Sequence, residues 1–298
     1  VRGWRYELFR ILLYSIGSKQ KYHSAMKVKF RNVFRKKVSQ TKIICDTNVW
    51  YGFNQGKPTE TDKNHILIPT SLTLAELATT EVMVHDIKLF QNTIKAIYEK
   101  CGPIITLDPI DYVLSQQDTK YPTTDRGIKK LLVGFSYLLS LKIDDKTVVD
   151  DKLKNEVIEK CKTERKASVS FAEYANSKID EIRRNINTGI GKKKHLEIDT
   201  TNINREMVKA IFNEHVKDSG YTIDWDKFDW GKIDLFMKVT EIFFKKVETT
   251  KGMKVDPNDA VDWLNMLYVS PDDKYLTLEG SWRKYIEEDN RIKHYLYA

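Results

Sequence analysis

The stretch TKIICDTNVWYGF, residues 41–53, joins a short apolar run to three polar residues. The run over residues 42–45 has the length and composition of a strand, and Asp46, Thr47 and Asn48 follow it directly. A buried carboxylate must be hydrogen-bonded or neutralised by a cation, because burying it bare is very costly. We expect Thr47 and Asn48 to donate to Asp46. Two roles stay open for Asp46, as the N-cap of the next segment or as part of a site.

Further strands and helices are predicted on both sides of a long helical region. Apolar runs over 65–69 and 103–107 predict a second and a third strand, and helical periodicity occupies 73–100 between them. This spacing favours a parallel sheet with crossover helices. Only helices are predicted from about 109 to 250, over 126–141, 148–161, 170–186, 204–216 and 230–247. The end of the chain predicts a helix over 257–269, a strand over 273–277, and a closing helix; residues 189–202 predict an exposed loop.

The basic character of the chain is concentrated in residues 1–40, which we interpret as a basic N-terminal arm. Of 50 basic and 42 acidic residues, residues 1–42 contain 12 and one, which leaves 38 and 41 for the rest. Such an arm can grip phosphate backbones, or it is a solvated leader. The chain opens without methionine and Met26 begins a more ordinary N-terminus, so we expect residues 1–25 to be a misplaced start or a fragment boundary.

Composition and apolar run lengths bound the class of protein. A chain of 298 residues has material for one large or two modest domains. Its three cysteines form an odd set without a C-x-x-C pair, which indicates neither a disulfide framework nor a zinc site. A reducing cytoplasm fits this cysteine content best. The longest apolar run, residues 131–143, is shorter than the roughly 18 to 20 residues of a membrane span. We therefore predict a cytoplasmic protein without a membrane partner.

A second acidic position follows the second predicted strand. Thr73 and Glu76 have the spacing of a capping box, in which the glutamate reaches back to the backbone amide of the cap residue. Alternatively, Glu76 faces the same crevice as Asp46, because the carboxyl ends of parallel strands meet at one edge of a sheet.

More acidic residues lie near the end of the chain. Asp259 and Asp262 are three residues apart in NDAVDWLNMLYV, so on a helix they share a face and repel each other. Asp259 alone could be a favourable charge at a helix N-terminus. Thr277 ends the last predicted strand, and Glu279 follows two residues later.

These acids have no histidine or cysteine ligand motif near them, and this pattern indicates a hard divalent cation. Mg²⁺ and Mn²⁺ prefer oxygen ligands and suit phosphate substrates. The sequence has no H-E-x-x-H, Walker or G-x-G-x-x-G motif, which disfavours zinc proteases, P-loop proteins and Rossmann dehydrogenases.

Taken in order, CDTNV, LTLAEL, NDAVDWLNMLYV and YLTLE resemble the PIN domain, the family of VapC-like toxin ribonucleases and several RNA-processing nucleases. The resemblance covers residues 41–112 and 255–298. It implies an α/β fold, a three-layer α/β/α sandwich with a central parallel sheet. Residues 113–254 would then be an all-helical insertion that covers the cleft, binds a partner or thickens the scaffold.

The resemblance also implies that carboxylates bind Mg²⁺ or Mn²⁺ and that the ions activate water to hydrolyse RNA. Matched residue by residue, it gives four catalytic, metal-binding carboxylates, Asp46, Glu76, Asp262 and Glu279. Asp259 competes with Asp262 as the metal ligand on its helix. The supporting residues are Thr47, Asn48 and Thr277. Glu279 departs from the aspartate usual in the family, and its longer side chain could change direct coordination to coordination through water.

RNA binding would need basic side chains, because an acidic pocket without its metal repels phosphates. The predicted substrate-binding residues are Arg35, Lys36 and Lys37 in the arm and Lys192, Lys193 and Lys194 in the loop. The implied partners are RNA as substrate and, for a toxin of a toxin–antitoxin pair, a cognate antitoxin.

Two other functions are alternatives to a metal-dependent ribonuclease. A degenerate PIN-like module would bind RNA or protein without cleavage, which the Glu279 departure and the acidic body of the chain favour. A haloacid-type phosphatase is disfavoured, because its motif needs a second acid where this chain has Asn48.

Overall fold

The computed structural model describes residues 40–57, 64–123, 128–144, 147, 149–164, 166–187, 200–250 and 252–297. The predicted arm up to residue 39 and most of the predicted loop over 189–202 lie outside the described residues.

The described residues form three strands, β1 (Thr41–Cys45), β2 (His65–Pro69) and β3 (Lys274–Leu276). They also form α-helices, in chain order α1 (Thr47–Phe53), α2 (Ser71–Leu77), α3 (Val82–His85), α4 (Ile87–Lys100), α5 (Pro109–Gln117), α6 (Ile128–Ser140), α7 (Asp151–Glu164), α8 (Lys166–Asn187), α9 (Thr200–Val216), α10 (Asp234–Thr249), α11 (Pro257–Asn265) and α12 (Gly280–Glu288). Short 3₁₀ helices occur at Trp230–Ile233, Met266–Tyr268 and Lys293–Tyr295.

The strands form one small parallel sheet in the order β2-β1-β3, so β1 is central. The β1–β2 register runs from Thr41 opposite His65 to Cys45 opposite Pro69. The last three residues of both strands are buried and the first two are not, so each strand enters the core at its carboxyl end. The predicted α/β class and parallel sheet are confirmed, while the PIN-like sandwich stays a prediction.

The predicted third strand over 103–107 is wrong. This segment runs beside β2 but makes only isolated bridges, from Cys101 to Leu67 and from Ile105 to Thr70. The bonds from Gly102 N to Leu67 O (2.9 Å) and from Ile105 N to Pro69 O (3.1 Å) flank Pro103. Because proline has no backbone N–H to donate, it interrupts the ladder between these two points.

The chain divides into two compact units, counted over the described residues. The first takes those of 1–108, 124–165 and 276–278, and the second those of 109–123, 166–275 and 279–298. This division differs from the predicted PIN-like domain and insertion. Residues 124–165 of the predicted insertion belong to the first unit, and most of 255–298 belongs to the second.

Helices α4 and α6 pack together in the core of the first unit. Phe90 of α4 meets Phe135 of α6 edge to face, with ring centroids 6.1 Å apart, and both rings are fully buried. Polar groups at the edge of this contact are satisfied, since Tyr98 Oη donates to Leu132 O (2.8 Å) and Gln91 Nε2 to Leu138 O (2.8 Å). This packing fixes the layer of helices that follows β2.

The helix predicted over 73–100 is three helices, α2, α3 and α4. The Thr79 hydroxyl bonds to the carbonyl of Ala75 (3.0 Å) just past the end of α2, where such local bonds compete with helix continuation. Asp86 then caps α4, accepting from Leu89 N (2.8 Å). Helices α1 and α5 were not predicted; the helices predicted over 126–141, 148–161, 170–186 and 204–216 correspond to α6, α7, α8 and α9 with shifted ends.

Tryptophans organise the core of the second unit. Trp263 of α11 stacks with Trp282 of α12 at 6.3 Å between centroids, and both are 2% exposed. The indole nitrogen of Trp263 donates to Thr240 Oγ1 of α10 (2.7 Å), so the buried N–H is satisfied. The helix predicted over 257–269 ends at Asn265 and continues as a 3₁₀ turn.

No helix in the described part of the chain is both long and apolar enough to cross a membrane.

The close approach of Gly102 to β2 gives a stability test. A Cβ built at Gly102 would overlap Ile66 Cγ2, so we expect Gly102→Ala to lower the free energy of unfolding by about 1–3 kcal/mol through overpacking. Ile66→Ala removes that methyl group, and Gly102→Ala should therefore cost much less in that background. Urea unfolding of the four proteins of this cycle measures the difference.

Gly280→Ala is the matched control, because a Cβ there meets no atom within 4 Å. Equal losses from Gly102→Ala in both backgrounds would contradict the predicted contact.

Candidate metal site

Asp46 stands where the central strand β1 turns into helix α1. Its backbone N–H donates to Leu276 O (3.2 Å), and its side chain is 1% exposed. Its Oδ1 accepts from Val49 N (3.2 Å), so Asp46 is the N-cap of α1. The capping role left open by the sequence is confirmed, and a negative charge is favourable at this helix end.

The cap uses only one of the two carboxylate oxygens. Asp46 Oδ2 is buried and has no hydrogen-bonding partner among the described residues. Thr277, which is fully buried, donates its hydroxyl to the carboxylate, and the backbone N–H of Asn48 also bonds to it. A buried carboxylate oxygen without a partner carries a substantial desolvation cost, which a bound cation would offset.

Glu76 supplies a second carboxylate from α2. The capping box between Thr73 and Glu76 is not formed, because the N-cap is Thr70, whose Oγ1 accepts from Thr73 N (3.2 Å). Glu76 is therefore the sixth residue of α2 and not the third. Its Oε2 instead accepts a hydrogen bond of 2.6 Å from Thr47 Oγ1.

The groups that donate hydrogen bonds to the Asp46 and Glu76 carboxylates differ from those expected. Thr47 donates to Glu76, whereas Asn48 has an exposed side chain and reaches Asp46 through its backbone. Thr277 is the side chain that donates to Asp46. The predicted supporting residues thus divide between the two carboxylates.

The electrostatics of the pair favour a positive partner. The pKa of Asp46 is raised from 3.8 to about 6. Burial is the largest cause and the nearby Glu76 carboxylate adds to it, against the lowering effect of the bonds from Thr277, Val49 and Asn48. Two neighbouring carboxylates in a buried setting repel each other until a proton or a cation lies between them. Because every donor atom is an oxygen, the pair fits Mg²⁺ or Mn²⁺.

Three of the predicted metal ligands lie in the second unit. Asp259 Oδ2 accepts from Asp256 N (2.8 Å) in the capping box of α11, and burial raises the pKa of Asp259. Asp262 lies on the same helix, half-buried, and Glu279 precedes α12. Asp259 therefore contributes to the N-terminal cap of α11. That Asp262 and Glu279 are metal ligands stays a prediction.

The structure does not gather a complete ligand set among the described residues, which contain no group of three or more histidine, cysteine, aspartate or glutamate residues arranged to hold a metal ion. The six basic residues predicted to bind substrate, Arg35, Lys36, Lys37, Lys192, Lys193 and Lys194, lie outside the described residues.

Sequence reasoning missed Thr73 as a supporting residue. Its hydroxyl, 1% exposed, donates to Cys45 O (3.2 Å) and ties the start of α2 to the end of β1. The same hydroxyl lies 3.3 Å from Thr70 Oγ1. The available signal was the pair of threonines at this strand–helix junction, Thr70 and Thr73, but the spacing of Thr73 and Glu76 predicts a capping box instead.

Comparison with protein-family models, with curated proteins and with solved structures finds no match for the chain.

The raised pKa of Asp46 predicts a pH-dependent effect of Asp46→Asn on stability. Between about pH 4 and pH 6 the folded protein holds a proton on Asp46 that the unfolded chain releases, so this residue's contribution to stability falls as pH rises through that window. Above it, the wild type buries a charge that asparagine lacks, while asparagine can still cap α1. We expect Asp46→Asn to be more stable than wild type by about 2–3 kcal/mol at pH 8 without divalent cations, and nearly equal at pH 4.

Urea unfolding across this pH range in EDTA measures the difference. Asp86→Asn is the matched control, because Asp86 also caps a helix of the first unit but is exposed. An Asp46→Asn protein that is less stable than wild type at every pH contradicts the prediction.

Proposed function

We propose that the protein is a metal-dependent endoribonuclease that hydrolyses RNA phosphodiester bonds. The observation that carries the proposal is the buried Asp46 carboxylate, which stands at the carboxyl end of the central strand beside Glu76 with its Oδ2 unpartnered. Sites of parallel α/β sheets lie at this edge, because side chains from neighbouring strand ends converge there.

In this proposal, Asp46 and Glu76 hold Mg²⁺ or Mn²⁺, and Asp262 and Glu279 are further ligands from the sequence resemblance. A divalent cation at such a site lowers the pKa of a bound water and neutralises charge on a phosphate. Thr277 fixes the Asp46 carboxylate, and Thr47 fixes Glu76. Both carboxylates are thus held in place before substrate binds, which favours catalysis by reducing reorganisation.

The parallel sheet with Asp46 after its central strand supports a PIN-like α/β/α sandwich as the parent fold. A cognate antitoxin is the partner to test if the protein is the toxin of a toxin–antitoxin pair. The cytoplasm is the proposed compartment, and the free cysteines Cys45, Cys101 and Cys161 fit a reducing environment.

The first test is cleavage of labelled single-stranded RNA by the purified full chain. We expect cleavage with Mn²⁺ or Mg²⁺, loss of cleavage with EDTA, and recovery with excess metal. Asp46→Asn and Glu76→Gln should each lower the rate by roughly a hundredfold or more, because metal-ion catalysis contributes several kcal/mol to transition-state stabilisation. Mn²⁺ should also raise the melting temperature of the wild type more than that of Asp46→Asn.

Asp86→Asn and Glu81→Gln serve as matched controls, since both acids belong to the first unit and neither is a predicted ligand. Metal-dependent cleavage that survives both Asp46→Asn and Glu76→Gln would refute this site. RNA binding without cleavage by the wild type would favour the non-cleaving PIN-like module instead.

A second test separates the two aspartates of α11. Asp259→Asn keeps an oxygen that can accept from Asp256 N, so its cleavage rate should stay within about threefold of wild type, the scale of a small positional disturbance. Asp262→Asn should lower the rate by about tenfold or more if Asp262 is a ligand.

Single-turnover cleavage rates at saturating Mn²⁺ measure both effects, and thermal melts show whether each variant is folded. A larger loss from Asp259→Asn than from Asp262→Asn would assign the ligand to Asp259.

A further inference from the structure

Thr73 joins the helix that carries Glu76 to the strand that leads into Asp46. Its side chain is buried, and its hydroxyl donates to Cys45 O (3.2 Å), the last carbonyl of β1. Cys45 pairs with Pro69 at the end of the β1–β2 register, and proline has no N–H to donate. A side-chain hydroxyl of α2 therefore bonds to the backbone at the point where β1 ends.

The peptide unit between Cys45 and Asp46 is held on both sides. Its carbonyl accepts from Thr73, and its N–H donates to Leu276 O (3.2 Å). Because a peptide unit is planar and includes the Cα atom of the residue that follows, these two bonds restrain the backbone position from which the Asp46 side chain extends.

The hydrogen bonds of Thr73 and Thr70 form a chain with one direction. Thr73 Oγ1 lies 3.3 Å from Thr70 Oγ1, and both side chains are buried. A hydroxyl has a single hydrogen, so Thr73, which donates to Cys45 O, accepts from Thr70 in this contact. Thr70 Oγ1 in turn accepts from Thr73 N (3.2 Å) as the N-cap of α2. Thr73 is thus bonded through both its backbone and its side chain, which fixes the first turn of α2 against β1.

Glu76 lies one turn beyond Thr73 on the same side of α2. The two are the third and sixth residues of the helix, so they are neighbours on its surface, about 4–5 Å apart along the axis. Glu76 Oε2 also accepts from Thr47 Oγ1 (2.6 Å), which holds the carboxylate toward the start of α1. The position of α2 on β1 therefore determines where the Glu76 carboxylate lies relative to Asp46.

We propose that Thr73 is a positioning residue whose hydroxyl sets the separation of the Asp46 and Glu76 carboxylates and thereby the affinity of the site for a divalent cation. The inference rests on the proposed function and deepens it by naming the side chain that joins the two ligand-bearing elements. Thr73 acts through the Cys45 carbonyl and the first turn of α2, and not as a ligand. Mg²⁺ and ions like it demand near-ideal geometry, so a small displacement of one carboxylate weakens binding.

The test measures Mn²⁺ binding to the purified full chain by electron paramagnetic resonance of free Mn²⁺. Thr73→Val removes the hydroxyl with little change in volume and keeps the N–H that bonds to Thr70. It should raise the Kd for Mn²⁺ about tenfold, the usual scale for loss of a group that orients a metal ligand. Thr73→Ser keeps the hydroxyl, and its Kd should stay within about twofold of wild type. Thr73→Ala removes the same hydroxyl and is measured in the same way if Thr73→Val does not fold.

Thr93→Val is the matched control. Thr93 is also a fully buried threonine of the first unit, but its hydroxyl donates to Leu89 O (2.9 Å) and accepts from Asn54 Nδ2 (2.8 Å), away from β1 and α2. Urea unfolding in EDTA should show that Thr73→Val and Thr93→Val both lose stability, because each removes a buried hydroxyl from its hydrogen bonds. Only Thr73→Val should weaken Mn²⁺ binding.

The results separate this inference from the proposed function. If the wild type binds Mn²⁺ and cleaves RNA while Thr73→Val binds Mn²⁺ equally well, the role of Thr73 is overturned and the proposed function stands. Equal weakening by Thr73→Ser or by Thr93→Val also overturns it, because the effect would then not come from this hydroxyl. A wild type that neither binds Mn²⁺ nor cleaves RNA overturns both.

Discussion

The structure of the candidate site depends on one constraint, the burial of the Asp46 carboxylate where β1 becomes α1. A helix that begins immediately after a central strand has its first N–H groups inside the protein, where they need an acceptor. Asp46 Oδ1 provides that acceptor for Val49 N, and Oδ2 is left without a partner. Capping and metal binding are therefore compatible roles of the same side chain, because each uses a different oxygen.

Threonine hydroxyls from three chain segments fix the surroundings of this carboxylate. Thr73 donates to Cys45 O at the end of β1, Thr47 donates to Glu76, and Thr277 donates to Asp46. Thr73 and Thr47 restrain α2 against the β1–α1 junction, which keeps Glu76 near Asp46. A hydroxyl has a single hydrogen to donate, so each of these bonds determines one contact and leaves the oxygens of the pair otherwise available.

The sequence predicted β1, β2 and β3 because their apolar and β-branched residues form short runs bounded by polar residues. It failed at 103–107, where the segment is apolar but Pro103 has no N–H to donate, and over 73–100, where Thr79 and Asp86 interrupt a continuous apolar period. Asp46 and Glu76 could be predicted as candidate site residues because each lies just after the carboxyl end of a predicted strand. The donors Thr47, Thr73 and Thr277 could not be assigned from spacing, since each acts on a residue distant in sequence.

Helix capping alone does not account for an aspartate at position 46. Asparagine and serine cap helices about as well as aspartate, and neither carries a charge into the interior. Burial, with a smaller contribution from Glu76, raises the pKa of Asp46 to about 6, so the ionised form is costly at neutral pH. Thr277, Val49 and Asn48 oppose this shift with hydrogen bonds but do not cancel it. The site therefore retains an unfavourable charge that a bound cation would stabilise, and such stored instability is typical of functional sites. The energetic cost of the charge, more than the D-T-N motif, is the physical reason why we propose a metal site at this strand end.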